Sequence, residues 1–390
     1  MKFLAVLCLI GCFTLSNAAL APPVVDYSPF VPENQDSIRV ANFNVENFFV
    51  SLGMGGANNM KESMWQEMKL AAAVNALNAH VVVLHEIMND DYVSVKRLVA
   101  VINGWSNAYY KYVRPRDQAG TRIISAIIYR DNDVEQIGPP SLLHYEKFGK
   151  ASSRDSIIQD FRFHGENFAV VSVHLKSKGL PCEEKYSDGY ENEDSCGLVR
   201  LKHVQQLIQH LQLKDQRRGA PLNYILAGDF NAYAHERSIQ HMQQSFVNTV
   251  GIHDYSMTYR GCKVNMDYIF ISQRLAGKCS PAQIWHINSE PCSPVETHYG
   301  IARAGYKWAA TVSNHELSVN NPFILAYLVA RSSDHDPSFV SCQMGQAEDG
   351  EEKLGDVDSA LRGADPLPQD NQLQPGESQD DMLRRIGILL

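Results

Sequence analysis

The stretch RSSDHDPSF, Arg331 to Phe339, sets a histidine between two aspartates and ahead of a proline. Carboxylates and an imidazole at that spacing do chemistry only with partners, and the chain supplies them in order: Asn44, Glu86, His174, Asp229 with Asn231, Asp267, then Asp334 with His335. Carboxylates and amide oxygens are hard ligands suited to magnesium, manganese or calcium, with phosphate oxygens completing the shell. Two histidines can bond to a phosphate or move protons, and an aspartate can orient or deprotonate a water. Singly, each residue is ordinary, since strand-end aspartates cap and turn the chain. As an ordered set they imply a metal-assisted phosphodiester hydrolase.

Such residues need rigid elements to hold them, and the hydrophobic pattern provides these. SIRVANFNV is β-rich and reaches Asn44, HVVVLHEI carries Glu86 at its end, NFAVVSVHLKSKG carries His174, LNYILAGDFNA ends on Asp229 and Asn231, and MDYIFIS opens on Asp267. RIISAIIYR reads as a further strand. Between them, Trp65, Met68, Ala72 and Ala76, and then Leu201, Val204, Ile208 and Leu211, fall at helical spacing. The alternation predicts one α/β domain over residues 37–342, a length that a single domain can reach. Polar residues at strand ends are where a packed core positions chemistry.

The flanks read differently. Residues 1–18, MKFLAVLCLIGCFTLSNA, have one lysine, an apolar run and a small-residue end, which predicts a secretory signal cleaved after Ala18. The LIGC at Leu9 to Cys12 gives lipoprotein processing as a minor alternative. Residues 19–36 form a leader, and 343–390 an acidic, Gln- and Pro-containing tail without aromatics, expected to be disordered. The chain of 390 residues carries a net charge of −9, but 11 acidic and 4 basic residues lie in Gln346 to Leu390, leaving −2 for the rest. A near-neutral body neither forbids nor requires a nucleic-acid partner. No later stretch is long and apolar enough for a transmembrane helix, so a soluble protein, secreted or periplasmic, is expected. Six cysteines remain beyond the signal, Cys182, Cys196, Cys262, Cys279, Cys292 and Cys342, which predicts disulfides in an exported chain. Cys182 and Cys196 bracket a polar segment and are the expected local pair, while the close cysteine spacing of structural zinc is missing.

The pieces VANFNVENFF, VVVLHEIMN, SAIIYR, VVSVHLKSKG, ILAGDFNAY, MDYIFIS, WHINSEP and SSDHDP also stand in a familiar order. Over Ser37 to Phe339 the chain resembles the endonuclease/exonuclease/phosphatase superfamily, which includes pancreatic-type deoxyribonuclease, and within it secreted bacterial extracellular nucleases. The resemblance implies a four-layered α/β sandwich, with two packed β-sheets between helices and the site at one edge of the sheets. It implies Glu86 as principal metal ligand, with Asn44 its neighbour and Asp334 a further metal or water ligand. Asp229 resembles the residue that orients or activates the attacking water, and Asn231 the amide on the reacting phosphate. Asp267 resembles the carboxylate that orients His335, His174 the second phosphate-contacting histidine, and Arg154 a substrate-phosphate contact. The cofactor implied is Mg2+, with Mn2+ or Ca2+ as alternatives, and the partner a nucleic acid, DNA first. In SDHDP, Asp334 would face the metal and His335 the phosphate, with Asp336 and Pro337 fixing the turn.

Two positions depart from the family pattern. His85 replaces the usual glutamine before the metal-binding glutamate, an exchange expected to alter substrate contacts. GTR at Gly120 to Arg122 stands where relatives often carry an acid that could support His174. The leading expectation is a secreted, divalent-metal-dependent nuclease acting on DNA and in some degree RNA. YYKYVRPR, Tyr109 to Arg116, offers basic and aromatic residues to a backbone or to bases. A phosphatase or sphingomyelinase-like phospholipase on the same scaffold is the competing enzyme, since a fold does not fix a substrate. An inactive binding protein is the third reading. It would lack ligands or acid–base residues, and here the set is complete apart from the acid that would support His174.

Overall fold

Strand alternation determines where each side chain of the first strand goes. In β1 (Ser37–Phe48), Ala41, Phe43 and Val45 join one apolar cluster, while Ile38 and Val40 join another on the opposite face. The computed structural model describes residues 36–345 except 105, 107, 119–121, 180, 184–185, 187–192, 194, 260, 290–328 and 330–331. The expected signal, most of the leader, nearly all of the tail, and Cys292 lie outside the described residues.

The described elements continue with α1 (Met60–Leu77), β2 (Val81–Met88), α2 (Val93–Gly104), β3 (Tyr110–Tyr112), β4 (Ile123–Arg130), β5 (Glu135–Leu143), β6 (Ser156–Phe163) and β7 (Glu166–His174). After these come α3 (Gly197–Arg218), β8 (Asn223–Asp229), α4 (Arg237–Gln243), β9 (Val247–Asn248), β10 (Met257–Tyr259), β11 (Cys262–Val264), β12 (Asp267–Ile271), β13 (Gln283–Ile284) and β14 (Ser338–Gln343). One six-stranded sheet has the order β13-β14-β1-β2-β4-β3, the other β5-β6-β7-β8-β12-β9, and β10 with β11 forms a separate hairpin. Each large sheet has a parallel pair at its centre, β1 with β2 and β7 with β8.

The three main apolar clusters define the layers. Ala41, Phe43, Val82, Leu84, Ile124 and Ile128 pack under Leu70, Val74, Leu98 and Ile102 of α1 and α2. Ala169, Val171, Val173, Leu226 and Phe270 pack under Val204, Leu207, Leu211 and Ile239 of α3 and α4. Ile38, Val40, Val81, Val83 and Ile127 meet Phe168, Val170, Ile225, Ala227 and Ile269 between the sheets. This is the expected four-layered sandwich of helices, sheet, sheet and helices. The fold continues slightly past the expected end of the domain: β14 reaches Gln343, and the buried Met344 donates its N–H to Asp36 O at 2.9 Å.

Two disulfides lie among the described residues. Cys182–Cys196 is the expected pair, and Cys279–Cys342 ties the segment after β12 to β14 at a Cα separation of 3.9 Å. Cys262 is an exposed thiol.

Two histidines away from the sheet ends predict acid sensitivity. His203 receives or donates bonds at Ser153 Oγ (2.7 Å) and Glu146 O (2.8 Å), and burial pushes it down from 6.5 to about 4. His80 accepts from Arg39 N at 2.9 Å, and burial, with Arg130 and Arg39 nearby, pushes it down to about 3. Both are neutral when folded and bind protons more readily when unfolded. Stability should therefore fall as pH drops below about 6.5 and level off once the folded forms also protonate. The loss should reach roughly 3 kcal/mol for His203 by pH 4. Melting temperatures between pH 7 and pH 4 should show a decline that His203→Gln makes shallower; an unchanged slope would exclude His203 as a source.

Candidate active site

The inter-sheet face that is apolar along most of each strand turns polar at one end. Ile38 and Val40 are followed on that face of β1 by Asn42 and Asn44, and Val81 and Val83 on β2 by His85. Phe168 and Val170 on β7 lead to Ser172 and His174, Ile225 and Ala227 on β8 to Asp229, and Ile269 and Ile271 on β12 stand behind Asp267. The site is thus the end of the core, reached by alternation alone.

Glu86 needs an additional device. Strict alternation would put it with Val82 and Leu84 beneath the helices, where a carboxylate has no partner. The pairing of β2 with both neighbours shifts register there, and Ile87 takes the helix-side place. Glu86 has φ of 63°, and Glu46 and Asn47 across the same irregularity have φ of 50° and 51°. Left-handed backbone at non-glycine residues costs energy, and a bulge that re-aims a side chain is its usual setting near a site. At Gly228, before Asp229, a Cβ would lie 1.8 Å from Val173 O, so only glycine lets β7 and β8 approach.

Asp229 lies at the centre, paired across the sheet with His174 on one side and Asp267 on the other. Its Oδ1 accepts from Asn231 N at 2.8 Å, and its Oδ2 accepts from Asn44 Nδ2 at 3.2 Å and lies 3.6 Å from His174 Nε2. One ligand atom each from Glu86, His174 and Asp229 lie within 4.8 Å of one another. Burial, followed by the charge of Asp334, raises the pKa of Glu86. Burial likewise raises Asp229, and Asp267 and Glu86 add to the shift. Burial holds His174 neutral, well below the usual imidazole value, with the charge of Arg154 next in effect. Both of its ring nitrogens are buried without a hydrogen-bond partner among the described residues. Crowded carboxylates beside an orphaned imidazole are a donor set that a divalent cation would satisfy.

On the other side, His335 Nδ1 lies 2.7 Å from Asp267 Oδ2, which also accepts from Ser256 Oγ at 2.6 Å. Burial works against a charged His335, but Asp267 and Asp334 outweigh it and raise its pKa well above the ordinary value. Arg154 forms an isolated bridge with His174 and donates to Leu175 O at 2.9 Å. Lys176 lies beside it, pushed down to about 8 by burial and then by Arg154 and Arg200. The cluster therefore has an acidic floor and a basic flank.

All nine residues singled out from the sequence, Asn44, Glu86, Arg154, His174, Asp229, Asn231, Asp267, Asp334 and His335, converge here. Three details differ from expectation. Asn44 accepts from Glu46 N at 3.1 Å through its carbonyl oxygen, so it faces the carboxylates as a donor. His85 is fully buried with both ring nitrogens engaged by protein groups, which removes it from direct substrate contact. Asp336 does more than fix a turn: it accepts from Asn288 N (2.7 Å), Ser289 N (3.0 Å) and Ser289 Oγ, and pairs with His286 at 2.8 Å. It thereby clamps WHINS against SDHDP. Arg122 of GTR lies over the Phe49 ring, and Gly120 and Thr121 are outside the described residues.

Asn42, Ser125 and Ser256 were not anticipated. Asn42 left a readable trace, a second amide two residues before Asn44 on the same strand face. The serines left none, because a buried serine has no distinctive spacing.

Sequence comparison gives no match to a family model or to a curated protein. Among solved structures, the mannosyl-6-phosphatase of Bacteroides thetaiotaomicron is similar over 78% of this chain and 98% of its own, at 15% identity and a TM-score of 0.50. The chain shares that protein's fold, two packed β-sheets between helices. An endonuclease/exonuclease/phosphatase family protein from the same organism matches at 16% identity over 78% of this chain and 94% of its own, with a TM-score of 0.49. The human Nocturnin catalytic domain with bound sulfate matches at 15% identity, 78% and 94% coverage, and a TM-score of 0.48. In this fold the strand ends described above lie at the edge of the paired sheets. No helix among the described residues is long and apolar enough to cross a membrane.

Proposed function

We propose that the protein is a divalent-metal-dependent phosphodiesterase that cleaves nucleic acid, DNA first, and that it works after export. The carrying observation is the 2.7 Å Asp267–His335 pair placed beside the Glu86, His174 and Asp229 cluster. Glu86 is the principal cation ligand, with the carboxylates of Asp334 and Asp229 beside it; Asn44 orients Glu86 and Asp229 by donating. A bound magnesium would supply Lewis-acid polarisation of a phosphoryl oxygen.

The remaining work falls to the chain itself. Asp229, its pKa raised, takes a proton from a water held next to it, and Asn231 is placed two residues on to bind the reacting phosphate. His335, kept protonated by Asp267, presents Nε2 to the phosphate as a donor that stabilises its charge and passes a proton on. Neutral His174 presents a nitrogen from the facing strand. Arg154 and Lys176 supply positive charge for the flanking phosphates of a polyanion. Two disulfides and the signal-like residues 1–18 support an oxidising compartment.

The shared fold includes a sugar phosphatase and does not choose the substrate. The test is incubation of purified protein with plasmid DNA, RNA, a phosphate monoester and sphingomyelin, each with magnesium, calcium or chelator. Chelator-sensitive cleavage of the plasmid is the expected result. Turnover confined to the monoester or the lipid would replace this reading.

A further inference from the structure

We propose that His85 is a positioning residue that fixes both histidines of the site from behind, through a hydrogen-bond chain to His335 and a ring contact to His174. This rests on the function proposed above. The chain crosses between the two sheets. Asn42 Nδ2 donates to Asp267 Oδ1 at 3.1 Å, His85 Nε2 lies 2.9 Å from Asn42 Oδ1, and Ser125 Oγ lies 2.8 Å from His85 Nδ1. All these side chains are fully buried.

The chemistry of the groups orients every bond. Asn42 turns its NH2 to Asp267 and its oxygen to His85, and an amide oxygen can only accept. His85 Nε2 then carries the proton, and Nδ1 accepts from the Ser125 hydroxyl. Asp267 is left with one oxygen for Asn42 and the other for His335 and Ser256. If the ring were lost, Asn42 would lose the partner that fixes its amide, and a flipped amide would set oxygen against oxygen at Asp267. The same ring meets His174 edge to face, with centroids 5.3 Å apart at 72°. The His174 ring nitrogens have no hydrogen bond among the described residues, so packing against neighbours such as His85 must hold the ring.

Side chains that orient ligating or reacting groups typically change activity about 10- to 100-fold when removed. His85→Ala should lower kcat on a phosphodiester by about that factor with KM little changed. His85→Gln, whose amide offers a donor and an acceptor in one plane, should recover most of the loss. Asn42→Ser breaks the next link and should reproduce the kcat loss even if His85→Ala folds poorly. The double variant should be no worse than the more damaged single. A readout independent of turnover is the downfield proton resonance of His335 Nδ1–H in metal-free, substrate-free protein. It should move in His85→Ala and Asn42→Ser and hold its position in His85→Gln. If wild-type protein cleaves no phosphodiester, the proposed function fails while the resonance still judges the chain. Wild-type kcat in His85→Ala, additive losses in the double variant, or an unmoved resonance would each overturn the proposal.

Discussion

Glu86→Gln is expected to reduce metal-stimulated hydrolysis by roughly three orders of magnitude or more, because the charge stabilisation a cation provides is worth several kcal/mol and each tenfold takes about 1.4. The amide keeps the size and removes the charge that a hard cation requires. The fold should be intact and somewhat more stable, since burial and the charge of Asp334 already disfavour the Glu86 carboxylate. Loss of activity with an unchanged or raised melting temperature is thus the signature. Full activity with unaltered magnesium dependence would remove Glu86 from the site. A collapse in stability would mean that the bulge, with its φ of 63°, needs the carboxylate for its shape.

His335 should separate from the metal ligands in a second experiment. His335→Ala should lower kcat by roughly 10²-fold or more with little change in metal affinity, because one nitrogen is engaged by Asp267 and, in the proposed function, the other serves the phosphate. Asp267→Asn should be a milder version, leaving the imidazole present but poorly oriented and less able to hold a charge. The pair should be far from additive, since the two residues act as a unit. His174→Ala should differ, weakening the cation as well as turnover, because its ring lies within the Glu86 and Asp229 cluster. Strict additivity of Asp267→Asn with His335→Ala would break the dyad, and near-wild-type turnover in His335→Ala would exclude SDHDP from the chemistry.

The strands were legible where a run of apolar residues met a polar one. β1, β2, β7, β8 and β12 all carry that pattern, and the residue at the transition is in each case part of the site. The relation between them was not legible. That Asp229 lies in register with both His174 and Asp267 depends on how separate strands pair, and a sequence records no register. The bulge at Glu86 was equally hidden, because HVVVLHEI reads as a continuous apolar strand ending in a glutamate and gives no sign that the facing of its side chains changes there. β5, with Gly138, Pro139 and Pro140 in a half-exposed edge strand, gave no strand signal, since Pro and Gly interrupt the pattern used to find one. His85 was visible as an unusual residue, but its direction, away from the substrate and toward Asn42, depends on the neighbouring strand.

The first and last described strands of the domain are neighbours: β14 pairs antiparallel with the first half of β1, and His335 lies just before it. Seen during synthesis, that arrangement sets a clock. A growing chain can complete the sheet of β5 to β12 and bring Glu86, His174 and Asp229 within reach while it still lacks Asp334, His335 and the strand that seats them. Until the ribosome has delivered residues beyond 343, Asp267 has no imidazole to hold. On the function proposed above, a nascent chain lacks the imidazole paired with Asp267 until nearly nine-tenths of the sequence, up to His335 of 390 residues, has been made.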